Sequence, residues 1–165
     1  MYQNCCDPWE QTTREKWASE KAVALNLMKK LRVRKVMELG SGLGMFSNMI
    51  SKIRIDVLEI DISVTAVKKS VANYPNCRFL QADVLNFDIY YKYKPELIVM
   101  AEITWYILDK LDKLLDFIRS ELSQVYLIHL LTTYGEGTQG LGKDKFTNLE
   151  EIMNYRTYFL GSYRS

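Results

Sequence analysis

One histidine, three cysteines and three prolines in 165 residues are a sparse set, and each shortage removes a class of protein. Cys5, Cys6 and Cys77 are odd in number and make no CxxC spacing, and a single histidine cannot complete a structural zinc site with them. No metal is expected. Unpaired thiols fit a reducing compartment better than a disulfide scaffold, and Cys5 and Cys6 read as free thiols on an N-terminal arm. No apolar run approaches the roughly 20 residues that cross a bilayer, and positions 1–7 lack the apolar centre of a signal peptide. Cytoplasmic residence without a membrane partner is the expectation. Charge of one sign is also missing: 22 Lys plus Arg face 20 Asp plus Glu, so a net +2 supplies no general field for nucleic acid or anionic lipid.

What is present is an ordinary globular composition, 48% apolar and 25% charged, of a length that suits one domain. No repeat or Pro/Gly/Ser linker divides it. Thr12 and Glu15 stand at capping-box spacing, predicting a helix to about Leu31. A short apolar strand, Val36 to Leu39, then runs into Gly40-Ser41-Gly42-Leu43-Gly44, after which Phe46, Met49, Ile50 and Ile53 recur at helical spacing. The alternation continues with strands near 55–60, 78–81, 96–101 and 125–130 and helices near 64–72 and 108–122. Strands joined by helical crossovers make a parallel sheet with both faces covered, so the class is α/β in three layers. Beyond lie a glycine-rich stretch at 135–142, a second capping box opening at Thr147, and a last strand-like segment, Thr157 to Tyr163.

The segment Glu38 to Gly44 places an acid and three alternating glycines between a strand and a helix. Glycine there permits unusual backbone dihedrals and lets a ligand approach the main chain. A dinucleotide loop would need its third glycine at position 45, where Met45 stands. The second strand ends at Asp61, about 20 residues past the first glycine, where a carboxylate accepts ribose hydroxyls. Asp83 follows the third strand, and its carboxylate suits an adenine amino group. All three acids fall on the edge where open α/β sheets bind ligands.

These residues resemble the class I S-adenosylmethionine-dependent methyltransferases over positions 34–131. The resemblance implies a Rossmann-like fold, S-adenosylmethionine as cofactor and S-adenosylhomocysteine as product. By the same resemblance Glu38, Gly40, Gly42 and Gly44 lie against the methionine part, Asp61 holds the ribose, and Asp83 with Val84 meets the adenine. Ala101 to Tyr106 is similar to the family's fourth motif, which puts Ala101 at the cofactor, Glu102 among candidate catalytic groups, and Trp105 and Tyr106 at the substrate. It lacks the Asn/Asp-Pro-Pro-Tyr/Phe signature of enzymes that methylate amines of nucleic-acid bases, which favours a small-molecule substrate over nucleic acid. The stretch from Gln139 to Thr147 resembles a loop of nodulation-protein-type and sugar N-methyltransferases. A complete sheet of this family carries two further strands, the last antiparallel, so the C-terminal hairpin reads as incomplete and its open edge as a site for a homodimer or another partner.

Several residues keep two readings. His129 is a general base or a packed core histidine. Glu102 takes a substrate proton or orients the cofactor. Trp105 and Tyr106 form an aromatic wall for a cation or pack beneath the next helix. Lys29, Lys30, Arg32, Arg34 and Lys35 precede the first strand and read as a solvated face on the edge away from the site. Tyr90, Tyr91 and Tyr93 resemble a stacking platform for bases but read better as a cap on the core between the third and fourth strands. A non-catalytic relative that uses the fold for interaction is the rival to an enzyme.

Overall fold

A computed structural model describes residues 15–134 and 157–164. In chain order these form α1 (Glu15–Leu31), β1 (Lys35–Leu39), α2 (Met45–Lys52), β2 (Asp56–Asp61), α3 (Val64–Asn73), β3 (Arg78–Gln81) and α4 (Phe87–Tyr93). There follow β4 (Leu97–Ala101), a 3-10 turn (Thr104–Tyr106), α5 (Leu108–Glu121), β5 (Tyr126–Tyr134) and β6 (Thr157–Arg164). The strands pair in the order β3-β2-β1-β4-β5-β6, and every pairing is parallel. The chain thus has the Rossmann-like α/β fold that the alternation implied.

Burial explains which strands take the centre. β1 reads KVMEL and β4 reads LIVMA, near-continuous apolar runs buried on both faces, as a covered parallel strand must be. β3 reads RFLQ and is largely exposed, in keeping with its place at the sheet's end. One face packs Met37, Leu39, Ile60, Ile98 and Met100 against α5; the other packs Val36, Val57, Leu97, Val99 and Ile128 against α1 and α2. Each such side chain, fully buried, contributes about 1.5–3 kcal/mol.

One element differs from the sequence reading, and the expected last strand is present. α4 was not anticipated: FDIYYKY is seven residues long and rich in aromatics, too short for a periodic signal and weak in helix propensity. Tertiary hydrogen bonds hold it instead. Tyr90 donates to the Val84 carbonyl at 2.8 Å, and the Tyr93 hydroxyl to those of Val36 and Asp56 at 3.0 and 2.8 Å. Tyr90 and Tyr93 therefore cap the core as expected, whereas Tyr91 is 48% exposed. At the C-terminus, Thr157–Arg164 is a strand lying parallel to β5, from Leu127↔Thr157 to Tyr134↔Arg164. Among the described residues it is the last strand of the sheet, and no antiparallel strand accompanies it. Thr12, the 135–142 stretch and the capping box at Thr147 lie outside the described residues.

Candidate active site

Because all strands run one way, their C-terminal ends share one edge, and the loops 40–44, 62–63, 82–86 and 102–107 lie along it. Gly40, Gly42 and Gly44 all have left-handed φ, at 72°, 59° and 77°. At two of them the neighbours also exclude a side chain: a Cβ on Gly40 would stand 2.2 Å from Ile103 Cδ1, and one on Gly44 2.7 Å from Phe79 Cε1. Packing within the fold thus demands glycine at both, apart from any ligand.

Asp61 ties the edge together. Its Oδ2 accepts the Gly42 amide at 3.0 Å and its Oδ1 the Ser63 amide at 2.8 Å, so the carboxylate fastens the glycine loop to the end of β2. Burial raises its pKa, and the two amides oppose that rise. A carboxylate has about four lone-pair sites, so ribose hydroxyls fit beside these amides. Glu38 lies buried behind the loop and accepts the Ser47 hydroxyl. Desolvation pushes it up to about 7, while Ser47 and Lys21 act in the opposite direction. Its register partner Glu59 is 1% exposed and raised well above the ordinary carboxylate range, by burial first and then by Glu38.

Asp83 is engaged from the next layer. Lys110, in the first turn of α5, donates to its Oδ2 at 2.6 Å and the Leu85 amide to its Oδ1 at 2.9 Å, and Lys110 before all else lowers its pKa. Val84 beside it is buried in the core, and its carbonyl carries the Tyr90 bond. Ala101 ends β4. Glu102 follows in a left-handed conformation, φ 59°, with its amide on the Leu130 carbonyl at 2.8 Å. A non-glycine residue held there costs about 1 kcal/mol or more, and such strain gathers at functional sites. Trp105 is half-buried, and Tyr106 is 59% exposed, so Tyr106 does not pack into the core.

His129 lies elsewhere. It is 1% exposed on β5, its Nε2 pairs with the Thr104 hydroxyl, and burial pushes its pKa down to about 4. Burial keeps the imidazole neutral at pH 7, and the Thr104 bond joins the 3-10 turn to β5. Two residues of this edge were passed over in the sequence. Ile62, 62% exposed directly after Asp61, offers an apolar surface beside that carboxylate. Lys110 could be found only once the fold brings the first turn of α5 to the loop that follows β3. Among the described residues there is no metal-binding cluster of His, Cys, Asp and Glu, and no helix is long and apolar enough to cross a membrane.

The family model of ribosomal RNA adenine dimethylase matches residues 13–146. The chain belongs to that family. It is a family of S-adenosylmethionine-dependent methyltransferases, with S-adenosylmethionine as the cofactor. The acceptors at the sheet edge and the open glycine loop fit that molecule. Solved structures share the methyltransferase fold at low identity. The PH0226 protein of Pyrococcus horikoshii OT3 is 20% identical, with TM-score 0.60 over 78% of this chain and 63% of that one. The N-methyltransferase NodS from Bradyrhizobium japonicum WM9, in complex with S-adenosyl-L-homocysteine, is 18% identical, with TM-score 0.58 over 75% and 67%. The sugar N-methyltransferase KedS8 from Streptoalloteichus sp ATCC 53650 is 15% identical, with TM-score 0.59 over 73% and 49%. The chain spans about 63% of the length of the Pyrococcus protein. No curated protein matches it.

Proposed function

We propose that this methyltransferase acts on an amine or hydroxyl of a small molecule, and that the residues of the sheet edge carry the roles the resemblance implies. The supporting observation is charge. The described loops of that edge hold Asp83 and Glu102, with Asp61 at a strand end, and contain no Lys or Arg. Lys110 pairs with Asp83 from the first turn of α5, and the loops otherwise carry acids and no cation, a balance that favours a neutral or cationic amine over a polyanion. NodS and KedS8, alike in fold, are by name N-methyltransferases, one of them acting on a sugar. The family match favours a second reading, the amine of an RNA adenine, against which stands the missing Asn/Asp-Pro-Pro-Tyr/Phe signature at positions 101–106.

When bound, S-adenosylmethionine supplies a methyl group on a cationic sulfonium; a nucleophile's lone pair forms the new bond to carbon as the methyl–sulfur bond breaks toward a neutral thioether. The protein's work is then alignment, exclusion of water and acceptance of one proton. Asp61 holds the ribose, Asp83 and Val84 border the adenine, and Glu38, Gly40, Gly42, Gly44 and Ala101 line the methionine end. Glu102 takes the proton of an ammonium acceptor, and Trp105 and Tyr106 wall the substrate mouth. His129 is left in the scaffold, since its buried, neutral ring already serves Thr104.

Asp61→Ala is expected to weaken S-adenosylhomocysteine binding by about 2 kcal/mol, roughly 30-fold by calorimetry, the scale of lost charge-assisted hydrogen bonds. Unchanged affinity removes Asp61 from the ribose site. Transfer of labelled methyl to a panel of small amines, amino sugars and ribosomal RNA fragments decides the acceptor, and labelling of RNA alone overturns the small-molecule reading. With the acceptor in hand, Glu102→Gln is expected to slow transfer by roughly 10-fold or more while cofactor affinity stays within a few fold. Equal turnover would return Glu102 to scaffolding.

A further inference from the structure

Asp83 does not stand alone at the cofactor edge. Lys110, in the first turn of α5, sets its Nζ 2.6 Å from Asp83 Oδ2, while Oδ1 takes the Leu85 amide at 2.9 Å. The contact closes a span of 27 residues, from the loop after β3 to the helix after β4. The Lys110 and Asp83 side chains are 31% and 37% exposed, so the pair borders the open space of that edge and is not sealed in the core.

Stability does not explain this contact. An ion pair so exposed contributes little to folding. A cation in the first turn of a helix also meets the positive end of the dipole, where Asp109 beside it carries the favoured charge. Bonding capacity points to a ligand instead. An ammonium has three donors and a carboxylate about four lone-pair sites, and among the described residues this contact and the Leu85 amide engage only part of either. The pair thus sets an acceptor next to a donor, the pattern with which a carboxamide reads adenine, accepting from its amino group and donating to the neighbouring ring nitrogen. Adenine carries both groups side by side: the amino group donates, and N1 and N7 on either side of it accept.

We propose that Lys110 is a cofactor-recognising residue, which donates to an adenine ring nitrogen, N1 or N7, while Asp83 accepts from the adenine amino group. This rests on the reading that Asp83 borders the adenine, and it supplies the donor that a carboxylate lacks. An acid alone selects for an amino group and takes no account of the ring beside it. The acid with its lysine selects for both.

The test is calorimetry with S-adenosylhomocysteine and its 1-deaza and 7-deaza analogues, in each of which C–H replaces one ring nitrogen. The parent protein is expected to bind one of the two analogues roughly 10-fold more weakly than S-adenosylhomocysteine, the scale of a hydrogen bond from a charged donor. Lys110→Met keeps a long side chain and the helix propensity of α5. It is expected to bind S-adenosylhomocysteine about 10-fold more weakly than the parent does, to bind that analogue no worse than S-adenosylhomocysteine itself, and to keep its melting temperature. Unchanged or tighter binding of S-adenosylhomocysteine by Lys110→Met overturns the proposal, as does parent binding of both analogues as tight as that of S-adenosylhomocysteine. An analogue penalty equal in parent and variant overturns it too, since Lys110 would then act only by holding Asp83. Asp83→Ala separates this inference from the reading beneath it. Affinity unchanged there removes the acid from the adenine site and takes the Lys110 assignment with it, whereas a loss there with Lys110→Met unaffected sinks that assignment alone.

Discussion

Glu38→Gln is expected to gain about 3 kcal/mol of stability relative to the parent protein as pH rises from 4.5 to 8. In the unfolded chain Glu38 titrates at its ordinary 4.5, whereas in the fold burial holds its proton up to about 7. A carboxyl raised on folding favours the folded state while protonated, and that advantage drains away as pH climbs through 4.5 toward 7. Glutamine keeps an acceptor for Ser47 and has nothing to ionise, so it escapes the loss. His129 works in the other direction. Its pKa falls from 6.5 to about 4 on folding, so its contribution is complete above 6.5 and lost as pH falls toward 4. In the parent Glu38 and Glu59 both oppose the histidine's trend as pH rises, while in the variant Glu59 alone does, so the variant loses less stability with rising pH. Urea midpoints at pH 4.5, 6, 7 and 8 would show this. A constant difference between the two proteins would mean that Lys21 keeps Glu38 ionised throughout.

Gly40→Ala is expected to cost about 2–4 kcal/mol, combining a left-handed side chain with an overpacked contact. The added Cβ would lie 2.2, 2.7 and 2.9 Å from three atoms of Ile103, including its branched Cβ, which cannot swing aside. Ile103 in turn is held by the turn that follows β4, whose Tyr106 amide bonds its carbonyl at 2.8 Å. Adding Ile103→Ala should recover the overpacking part of the loss and leave the backbone part. Thermal unfolding followed by circular dichroism separates these, and a Gly40→Ala cost below about 1 kcal/mol would show that the loop yields freely.

The central strands were legible because a strand buried on both faces is nearly continuous in apolar residues, as LIVMA is throughout and VMEL is except at Glu38. The order of glycines and acids was legible because ligand-binding loops in parallel sheets follow strand ends. Bonds that cross the chain left no such trace. Asp61 fastening Gly42, Lys110 reaching Asp83 and Thr104 meeting His129 join residues 19, 27 and 25 positions apart, and only the folded sheet brings them together. Glu59 shows the same limit. A charged residue in VLEID looks like the polar face of a half-exposed strand, and its burial against Glu38 follows from the register of β1 on β2. α4 escaped because its helix rests on three tyrosine hydroxyl bonds and hardly at all on its own sequence.

The strand order also sets a timetable for the chain as it leaves the ribosome. β1 and β2 are neighbours in sequence and in the sheet, joined through α2, so the glycine loop and the Asp61 clasp can assemble once residue 63 has emerged. β1 has to wait for β4 before its other flank is covered, because Val36 pairs with Leu97. Until then a largely apolar strand offers open amides and carbonyls to whatever passes, and this interval is when a nascent chain depends most on a chaperone. The cofactor half of the edge is thus built early and the acceptor half late. A pause in translation before β4 has emerged prolongs that interval; one after it leaves the interval unchanged and gives β4 time to pair.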